Sequence, residues 1–279
     1  GGDAGYVIEG SASFPAGANG LQDTSPDAGE AGGQKTFTLF GCFKRSKITD
    51  SAVLVSFDDS SVHDFVAVSL LSGGGTVDSM ELALQDQSDT STVGWTTTQL
   101  FRDVGAYSYW VWTVDTTPVT PICKLWINGD EITAFTKVTD TLAQDDVFMM
   151  GSQLSRMSIG NRAEIHANLS CESYIARAGY QDNVVVTDMS DHMEVDANGY
   201  QTILDVSDLD YGTGGYLIEG GVAMAAGTDS SGNGQNFTPS GTITATNDSP
   251  TNGGDNLEYG DYNTFDPNSD IYDAGTFSN

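Results

Sequence analysis

A short segment near the C-terminus alternates oxygen-bearing side chains at a spacing suited to binding a cation. Asp229, Ser231 and Asn233 stand at alternate positions, and a glycine follows that permits the sharp turn of a calcium loop. Ser240 stands at the twelfth position of that loop, where a bidentate glutamate is expected. An Asx turn held by the Asp229 side chain explains the same residues. Calcium is therefore one of two interpretations, and no other cofactor is expected.

Carbohydrate recognition needs an aromatic ring with planar hydrogen-bonding groups beside it, usually on loops at one end of a sandwich. Trp95 follows a polar loop and stands between Gly94 and Thr96, which indicates exposure. The other three tryptophans lie in strand patterns, where a core role is favoured. Tyr107 and Tyr109 occupy alternate positions, so one face of their strand is expected to be exposed to solvent. The candidate glycan-binding residues are Trp95, Tyr107, Tyr109, Arg102, Asn161 and Arg162.

Strands and turns must position these side chains, because alternating segments separated by Gly, Asn and Pro fill most of the chain. Asn128-Gly129 between two apolar runs is typical of a two-residue hairpin, since both residues tolerate positive φ. Strand patterns recur about every ten residues, which favours a sandwich over βαβ units. The best helix signal, at 188–195, is one or two turns long. Strands are predicted at 6–14, 36–44, 53–57, 65–71, 80–85, 96–101, 109–115, 124–127, 148–150, 156–159, 169–177 and 215–219.

The order of three motifs resembles that of a known family. A strand with two tryptophans at 109–115 is followed by the Asn-Gly hairpin and then by a strand that ends in Ile159-Gly160. The same order is found in laminin-G-like, concanavalin A-like jelly-roll domains. The resemblance implies an all-β fold, an antiparallel β-sandwich of the jelly-roll type.

Two further stretches resemble one group of proteins within this family. The segment 35–46, and the motifs between 215 and 252, are similar to laminin-G-like domains in tail-fibre and other virion surface proteins of marine tailed bacteriophages. Phe37 and Phe43 stand where those proteins often have tryptophan. The resemblance implies a protein exposed on a virion.

Jelly rolls of this class include glucanases, which use two carboxylates on one strand face. A retaining enzyme holds these groups about 5–5.5 Å apart, and alternation along a strand provides that placement. Glu194-Val195-Asp196 has the spacing, but Gly199 replaces the second glutamate of the glucanase pattern. The histidines lack zinc-type spacing, and no serine lies in a nucleophile elbow. We therefore predict that the protein is not an enzyme.

The resemblance also sets the predicted domain boundaries. Residues 1–245 are predicted to form one laminin-G-like jelly-roll domain, in which the Gly-rich and Pro-containing stretch 15–34 is a long polar loop. Residues 246–279 are rich in Asn, Asp, Tyr and Gly with little apolar periodicity. They are predicted to form an extended arm or a linker to a further domain. The chain begins with Gly-Gly, which indicates a processed or partial product.

The charge balance disfavours three classes of partner. Ten lysines and arginines face 39 acidic residues, a formal net charge of −29, which repels nucleic acid and disfavours docking to anionic membranes or acidic polysaccharides without bridging cations. No apolar run approaches the roughly 20 residues that a membrane-spanning helix needs. The chain has three cysteines, Cys42, Cys123 and Cys171, which lie far apart in the sequence. An odd number at this spacing favours free buried thiols and synthesis in a reducing cytoplasm.

The resemblance implies a function on the outside of a bacteriophage. The chain is expected to be a non-enzymatic, tail-fibre-like receptor-binding module that recognises host-surface carbohydrate, made in the host cytoplasm and displayed on the virion surface. Its expected partners are the glycan, other virion proteins and further copies of itself, with a trimer favoured. A structural or decoration protein of the capsid or tail is the alternative. A secreted carbohydrate-active enzyme is a more remote one.

Overall fold

The computed structural model describes residues 6–17, 19–24, 26, 29, 33–48, 50–58, 65–72, 77–85, 92–148, 150, 156–161, 171–196, 199 and 201–251. Two eight-stranded antiparallel sheets pack face to face, and a two-stranded hairpin lies outside them. This confirms the predicted all-β antiparallel β-sandwich. The elements are β1 Ser11–Phe14, β2 Gly20–Asp23, β3 Thr36–Arg45, β4 Ala52–Asp58, β5 Phe65–Leu70, β6 Ser79–Gln85, β7 Thr92–Leu100, β8 Ser108–Asp115, β9 Ile122–Ile127, β10 Asp130–Glu131, β11 Phe135–Asp140, β12 Arg156–Ile159, β13 Ser173–Asp182, β14 Met193–Val195, β15 Gln201–Ile203, β16 Tyr216–Glu219, α1 Gly221–Ala226, β17 Thr238–Ser240 and β18 Thr244–Thr246.

The two sheets interleave distant parts of the chain. Sheet A has the order β10-β9-β8-β3-β13-β1-β18, and β16 pairs with β13 beside that path. Sheet B has the order β11-β7-β6-β5-β4-β12-β2-β17. The turn between β9 and β10 is the predicted one, because Asn128 and Gly129 have φ of 50° and 90°.

The main core lies between the sheets and follows from side-chain alternation. Val66 and Val68 on β5, and Leu82 and Leu84 on β6, face inwards and are at most 1% exposed. Burying a side chain of this size stabilises the fold by about 1.5–3 kcal/mol. Their neighbours in sequence point away from the core, so sheet B presents a second face to the outside.

Strand β3 of sheet A is buried on both faces, and all of its residues are buried. Phe37 and Leu39 belong to the main core, whereas Phe40 and Cys42 belong to a second apolar cluster on the outer face of sheet A. The middle of the strand, residues 39–43, is a continuous run without a polar side chain, as expected where both faces are covered.

Residues 183–196, 199 and 201–211, which we call the cover, close the outer face of sheet A. The cover contains the β14–β15 hairpin, and the ring of Tyr211 lies 6.4 Å from that of Phe40. The cover, sheet A and the segment before β1 together form the outer cluster, which consists of Ile8, Phe40, Cys42, Tyr109, Val111, Trp126, Ala176, Val186, Met189, Met193, Val206, Tyr211 and Leu217.

The structure differs from the prediction where pairing overrides local sequence. The predicted loop at 15–34 contains strand β2, whose Leu21 is 0% exposed, because β12 and β17 supply its hydrogen bonds. Edge strand β11 is absent from the prediction, since most of its side chains are polar or exposed. Residues 188–195 form turns and then β14, and the helix α1 lies elsewhere, ending at Gly227 with φ 70°. Phe148 and Met150 lie outside any strand, so that predicted strand is wrong.

The chain stays against sheet A beyond residue 245. Thr246 on β18 lies opposite Ser11 on β1, and the backbone N–H of Ile8 donates to Thr251 Oγ1 at 2.8 Å. Residues 252–279 of the predicted arm lie outside the described residues. Within the described residues, no helix combines the length and the apolar character that a membrane crossing requires.

Candidate functional site

Sheet B carries a groove on the face that points away from the main core. Ala67, Ala83, Gly94 and Thr139 lie side by side in one row across β5, β6, β7 and β11. Because their side chains are small or missing, the row leaves a groove of about 420 Å³. A groove of this size is large enough for a small organic ligand.

Larger side chains border this row on both sides. Ser69, Glu81, Thr96 and Lys137 form the adjoining row across the same four strands. Phe65, at the start of β5, lines the groove from the other side. The groove therefore has a floor of small side chains, one polar wall and one aromatic wall.

The ammonium group of Lys137 lies over the backbone of Gly94. A Cβ placed on Gly94 would be 3.7 Å from Lys137 Nζ and 3.7 Å from Thr139 Cβ. The lysine extends from edge strand β11 across the position where β7 has no side chain. Gly94 thus makes room for a cation inside the groove.

The groove offers both hydrogen-bond donors and acceptors. Glu81 can accept hydrogen bonds, Lys137 can donate them, and the hydroxyls of Ser69 and Thr139 can do both. In the described part of the chain, no three His, Cys, Asp or Glu side chains come together as a metal site would require. The arrangement suits a polar ligand with an apolar face.

Trp95 faces the main core and not the solvent. It lies opposite Leu82 on β6, and its ring centroid is 4.8 Å from that of Phe135. The side chain is half-buried, so the predicted exposure is wrong. The residue before it, Gly94, is the one that lines the groove.

Of the two tyrosines predicted to bind glycan together with Trp95, Tyr109 lies on β8 of sheet A and Tyr107 immediately precedes that strand. Tyr109 is 2% exposed in the outer cluster, and its hydroxyl is 2.9 Å from His192 Nδ1. Tyr107 is half-buried and donates its hydroxyl to Ser11 Oγ at 2.9 Å. The predicted solvent-exposed face of this strand is therefore wrong, because both hydroxyls are used inside the fold.

The remaining predicted glycan-binding residues are dispersed. Arg102 has a 56% exposed side chain and donates from Nε to Asp78 Oδ2 at 2.9 Å. Asn161 is 1% exposed, and Arg162 lies outside the described residues. The structure does not bring the predicted set together, and a glycan-binding role for Arg102 or Arg162 stays a prediction.

The predicted calcium loop forms an Asx turn. Asp229 Oδ1 accepts hydrogen bonds from the N–H groups of Leu217 and Ser231, both at 2.9 Å. Its Oδ2 accepts from Gln235 N–H at 3.0 Å and from the Ser231 hydroxyl at 2.9 Å. Asn233 donates its amide to two backbone carbonyls. These contacts match the turn interpretation, and calcium at Asp229 stays a prediction that none of them requires.

A group of ionisable side chains is buried between sheet A and the cover. Arg177 is 0% exposed, its Nε pairs with Glu219, and its Nη2 donates to the Leu204 carbonyl at 2.9 Å. Its guanidinium carbon lies 5.4 Å from the Tyr6 ring centroid and 5.6 Å from that of Tyr109. All of these contacts are internal to the fold.

His192 completes this buried group. Burial, with a smaller effect from the Arg177 charge, lowers the pKa of His192 to about 3. Burial also raises the pKa of Tyr109 to about 12. Both groups are therefore neutral at physiological pH, and we interpret the cluster as a structural network.

The groove residues Phe65, Glu81 and Lys137 are absent from the sequence-based prediction. The signal that could reveal them is the pattern of β5 and β6, where large apolar residues alternate with small or polar ones. Sequence alone does not reveal that Ala67 and Ala83 share a row with the glycine of β7, since that depends on strand register.

The chain is similar to solved structures at low sequence identity. A putative carbohydrate binding protein from Bacteroides ovatus matches with a TM-score of 0.52 and 14% identity over 88% of this chain, which spans 62% of that protein. A heptameric SAP-like pentraxin from Limulus polyphemus matches with a TM-score of 0.45 and 11% identity, over 63% of this chain and 77% of its own. Domains LG4-5 of the mouse laminin α1 chain match with a TM-score of 0.43 and 11% identity, over 66% of this chain and 44% of theirs.

These likenesses concern the fold alone. No family model matches the chain, and no curated protein matches it in sequence. The match to the Bacteroides protein confirms the predicted jelly-roll architecture.

Proposed function

We propose that the protein is a non-enzymatic carbohydrate-binding module on the surface of a bacteriophage particle, where it attaches to glycan on the host cell. The observation that carries the proposal is the groove across β5, β6, β7 and β11, with small residues on its floor and Glu81, Lys137 and Phe65 at its sides. The groove is the binding site, and the loops at the ends of the sandwich are not required.

A sugar ring fits the chemistry of this groove. The C–H face of a pyranose can lie on the apolar floor formed by Ala67 and Ala83, while its hydroxyls reach the polar wall. Glu81 accepts hydrogen bonds from those hydroxyls, and charge-assisted hydrogen bonds of this kind are stronger than neutral ones. Phe65 adds an aromatic surface at one side.

The absence of catalysis in this proposal follows from where the carboxylates lie. Glu194 is exposed on β14, in the hairpin over sheet A, whereas the groove is on sheet B. Glu81 is the carboxylate that lines the groove, and a retaining hydrolase needs two about 5–5.5 Å apart. The described residues therefore favour a site that binds carbohydrate and does not hydrolyse it.

The viral setting rests on the resemblance of the motifs to those of bacteriophage surface proteins. One solved structure with this fold is described as a putative carbohydrate binding protein, which agrees with the proposed ligand class. On a virion the module would be repeated through contacts with other virion proteins and with copies of itself, and a trimer is the assembly we favour. Repetition raises the avidity of a weak sugar site without a new contact.

A glycan array with the purified chain tests this proposal. We expect binding to at least one oligosaccharide, weakened tenfold or more by Ala83→Phe, which fills the groove floor. Val222→Phe is the matched control, because Val222 is 78% exposed on α1, away from the groove. Melting temperatures of both variants establish that they fold.

Two results would contradict the proposed carbohydrate-binding function. One is a folded Ala83→Phe protein that binds glycan as the unchanged chain does, which would exclude the groove. The other is no binding at millimolar sugar together with a stable oligomer, which would favour a structural or decoration protein of the virion.

A further inference from the structure

Lys137 differs from seven other lysines and arginines of the described chain, each of which pairs with a carboxylate. The chain has ten lysines and arginines against 39 acidic residues, so a cation without a carboxylate partner is unusual here. Lys137 makes no ion pair with any residue in the described ranges. By contrast, the pairs formed elsewhere are Lys35 with Asp145, Lys44 with Asp248, Arg45 and Arg102 with Asp78, Lys47 with Asp50 and Glu172, Lys124 with Glu131, and Arg177 with Glu219.

The position of this ammonium group is inside the proposed binding site. Nζ lies 3.7 Å, and Cε 4.0 Å, from the point where a Gly94 Cβ would be. Lys137 is exposed on edge strand β11, and the end of its side chain lies over the groove floor at Gly94. A ligand in the groove contacts the ammonium directly.

Glu81 fixes how a ligand is oriented relative to this charge. Glu81 and Lys137 are both opposite Thr96, on β6 and β11 respectively. Two strand spacings separate them, roughly 10 Å between backbones. The groove thus has an anion-attracting end at β11 and a hydrogen-bond-accepting position at β6.

We infer that the groove selects an oligosaccharide that carries a sugar acid, with the ligand carboxylate at Lys137 and neutral hydroxyl or amide donors at Glu81. The inference rests on the proposed function and specifies its ligand class. A carboxylate at Lys137 forms the charge-assisted hydrogen bonds that a neutral sugar cannot form. A carboxylate beside Glu81 is repelled, so the two groups together define one direction of binding.

The net charge limits how acidic the ligand can be. A formal charge of −29 repels polyanions, whereas a single carboxylate next to Lys137 experiences mainly that one cation. Salt at physiological strength screens the more distant acidic residues beyond about 8 Å. The expected ligand is therefore a mostly neutral glycan with one acidic unit, and not a polyuronate or a sulfated polymer.

The test compares oligosaccharides that end in a uronic acid with their carboxyl-reduced counterparts, which differ only in the carboxylate. We expect the acidic member of at least one pair to bind tenfold or more tightly, and Lys137→Met to abolish that preference because it weakens binding of the acid more than binding of its reduced counterpart. Lys137→Arg should retain the preference in part. Lys124→Met on β9 is the control, since it removes the same charge from the other sheet.

The outcomes separate this inference from the proposed function. Equal binding of acidic and reduced sugars, both weakened by Ala83→Phe, would overturn the inference and leave the carbohydrate-binding groove in place. A preference for the acid that survives in Lys137→Met would overturn the role of Lys137. Binding of neither member of any pair, in an array where no other glycan binds, would overturn both proposals.

Discussion

The outer faces of the two sheets are built from opposite kinds of side chain. On sheet A, Phe40, Tyr109 and Trp126 point outwards, and the cover seals them from solvent. On sheet B, Ala67 and Ala83 occupy comparable outward positions; Ala83 is partly exposed, and Ala67 is 4% exposed between its larger neighbours. The outer face of sheet A thus has large apolar side chains under a cover, whereas that of sheet B has a groove with small side chains on its floor.

This difference shows that a sandwich can use its two outer faces for separate tasks. Large apolar side chains on an outer face require a cover, because an exposed patch of that size would promote association. Small side chains bury little area, so they contribute less to stability and leave space for a ligand. Stability is therefore expected to depend on the sheet A face, and ligand binding on the sheet B face.

Among the substitutions considered, removal of the buried Arg177 guanidinium on the sheet A side should lower the free energy of unfolding most. Arg177→Ala leaves the Glu219 carboxylate, 12% exposed, and the Leu204 carbonyl without the guanidinium. Breaking a buried ion pair on one side costs about 3–5 kcal/mol. We expect that loss in the free energy of unfolding, measured by urea denaturation. A loss below about 1 kcal/mol would show that the cover does not isolate this pair from water.

Lys124→Ala provides the comparison for Arg177→Ala. Lys124 pairs with Glu131 at 3.2 Å, and both side chains are more than a third exposed, at 38% and 44%. An exposed pair of this kind contributes at most about 1 kcal/mol. The same urea measurement should therefore separate the two variants clearly.

His192 should make stability depend on pH through the covered face. Its pKa is about 3 in the folded protein and about 6.5 when unfolded, so the unfolded state binds the proton first as pH falls. The neutral imidazole makes its full contribution to the free energy of unfolding above about pH 6.5, and this contribution is lost as the pH drops towards 3. Between pH 7 and 5 the loss should be about 2 kcal/mol, since each pKa unit corresponds to about 1.4 kcal/mol.

The variant His192→Asn isolates this contribution from that of the many carboxylates. Its free energy of unfolding should fall by about 2 kcal/mol less than that of the unchanged chain between pH 7 and 5. Equal pH dependence in the two proteins would mean that the imidazole is hydrated or already charged. The cover would then be open at this point, and the contrast between the two faces would be smaller than the structure indicates.

The sequence predicts the frame of the sandwich better than its edges. Asn128-Gly129 can be identified because only a few residue types adopt positive φ without strain. The strands β5 and β6 can be identified because each has a complete alternating pattern. By contrast, β2 carries one large apolar residue, Leu21, and exists because its partner strands are in place. No local pattern contains that information.

The groove is harder to predict than the fold. It joins residues from several strands, and their alignment depends on register shifts such as the bulge in β11 between Phe135 and Lys137. Trp95 illustrates the difficulty, since a Gly-Trp-Thr sequence does not show which of the three residues faces outwards. Register assigns the indole to the core and Gly94 to the groove. Tryptophan is therefore a poor marker of this site, and small residues at alternate strand positions are better ones.

A pair of glycine substitutions should give effects of opposite sign on the two faces. A Cβ on Gly179 of β13 would lie 2.1 Å from the Phe40 ring, so Gly179→Ala should destabilise the fold by about 1–3 kcal/mol. A Cβ on Gly94 meets no atom closer than 3.7 Å, and its φ is outside the left-handed region. Gly94→Ala should therefore stabilise the fold by about 0.4–1 kcal/mol, because alanine restricts the unfolded chain.

The smaller of these two changes in stability, that of Gly94→Ala, is the more informative one. The added methyl of Gly94→Ala occupies the groove floor below Lys137 Nζ, so binding should weaken while the melting temperature rises. Thermal unfolding and glycan titration of the same sample measure both changes. A protein that becomes more stable as it loses affinity would show that the gap at Gly94 serves the ligand and not the fold. A fall in stability would instead mean that Gly94 is needed to pack β11 against β7, and that the open face, like the covered one, is shaped by folding.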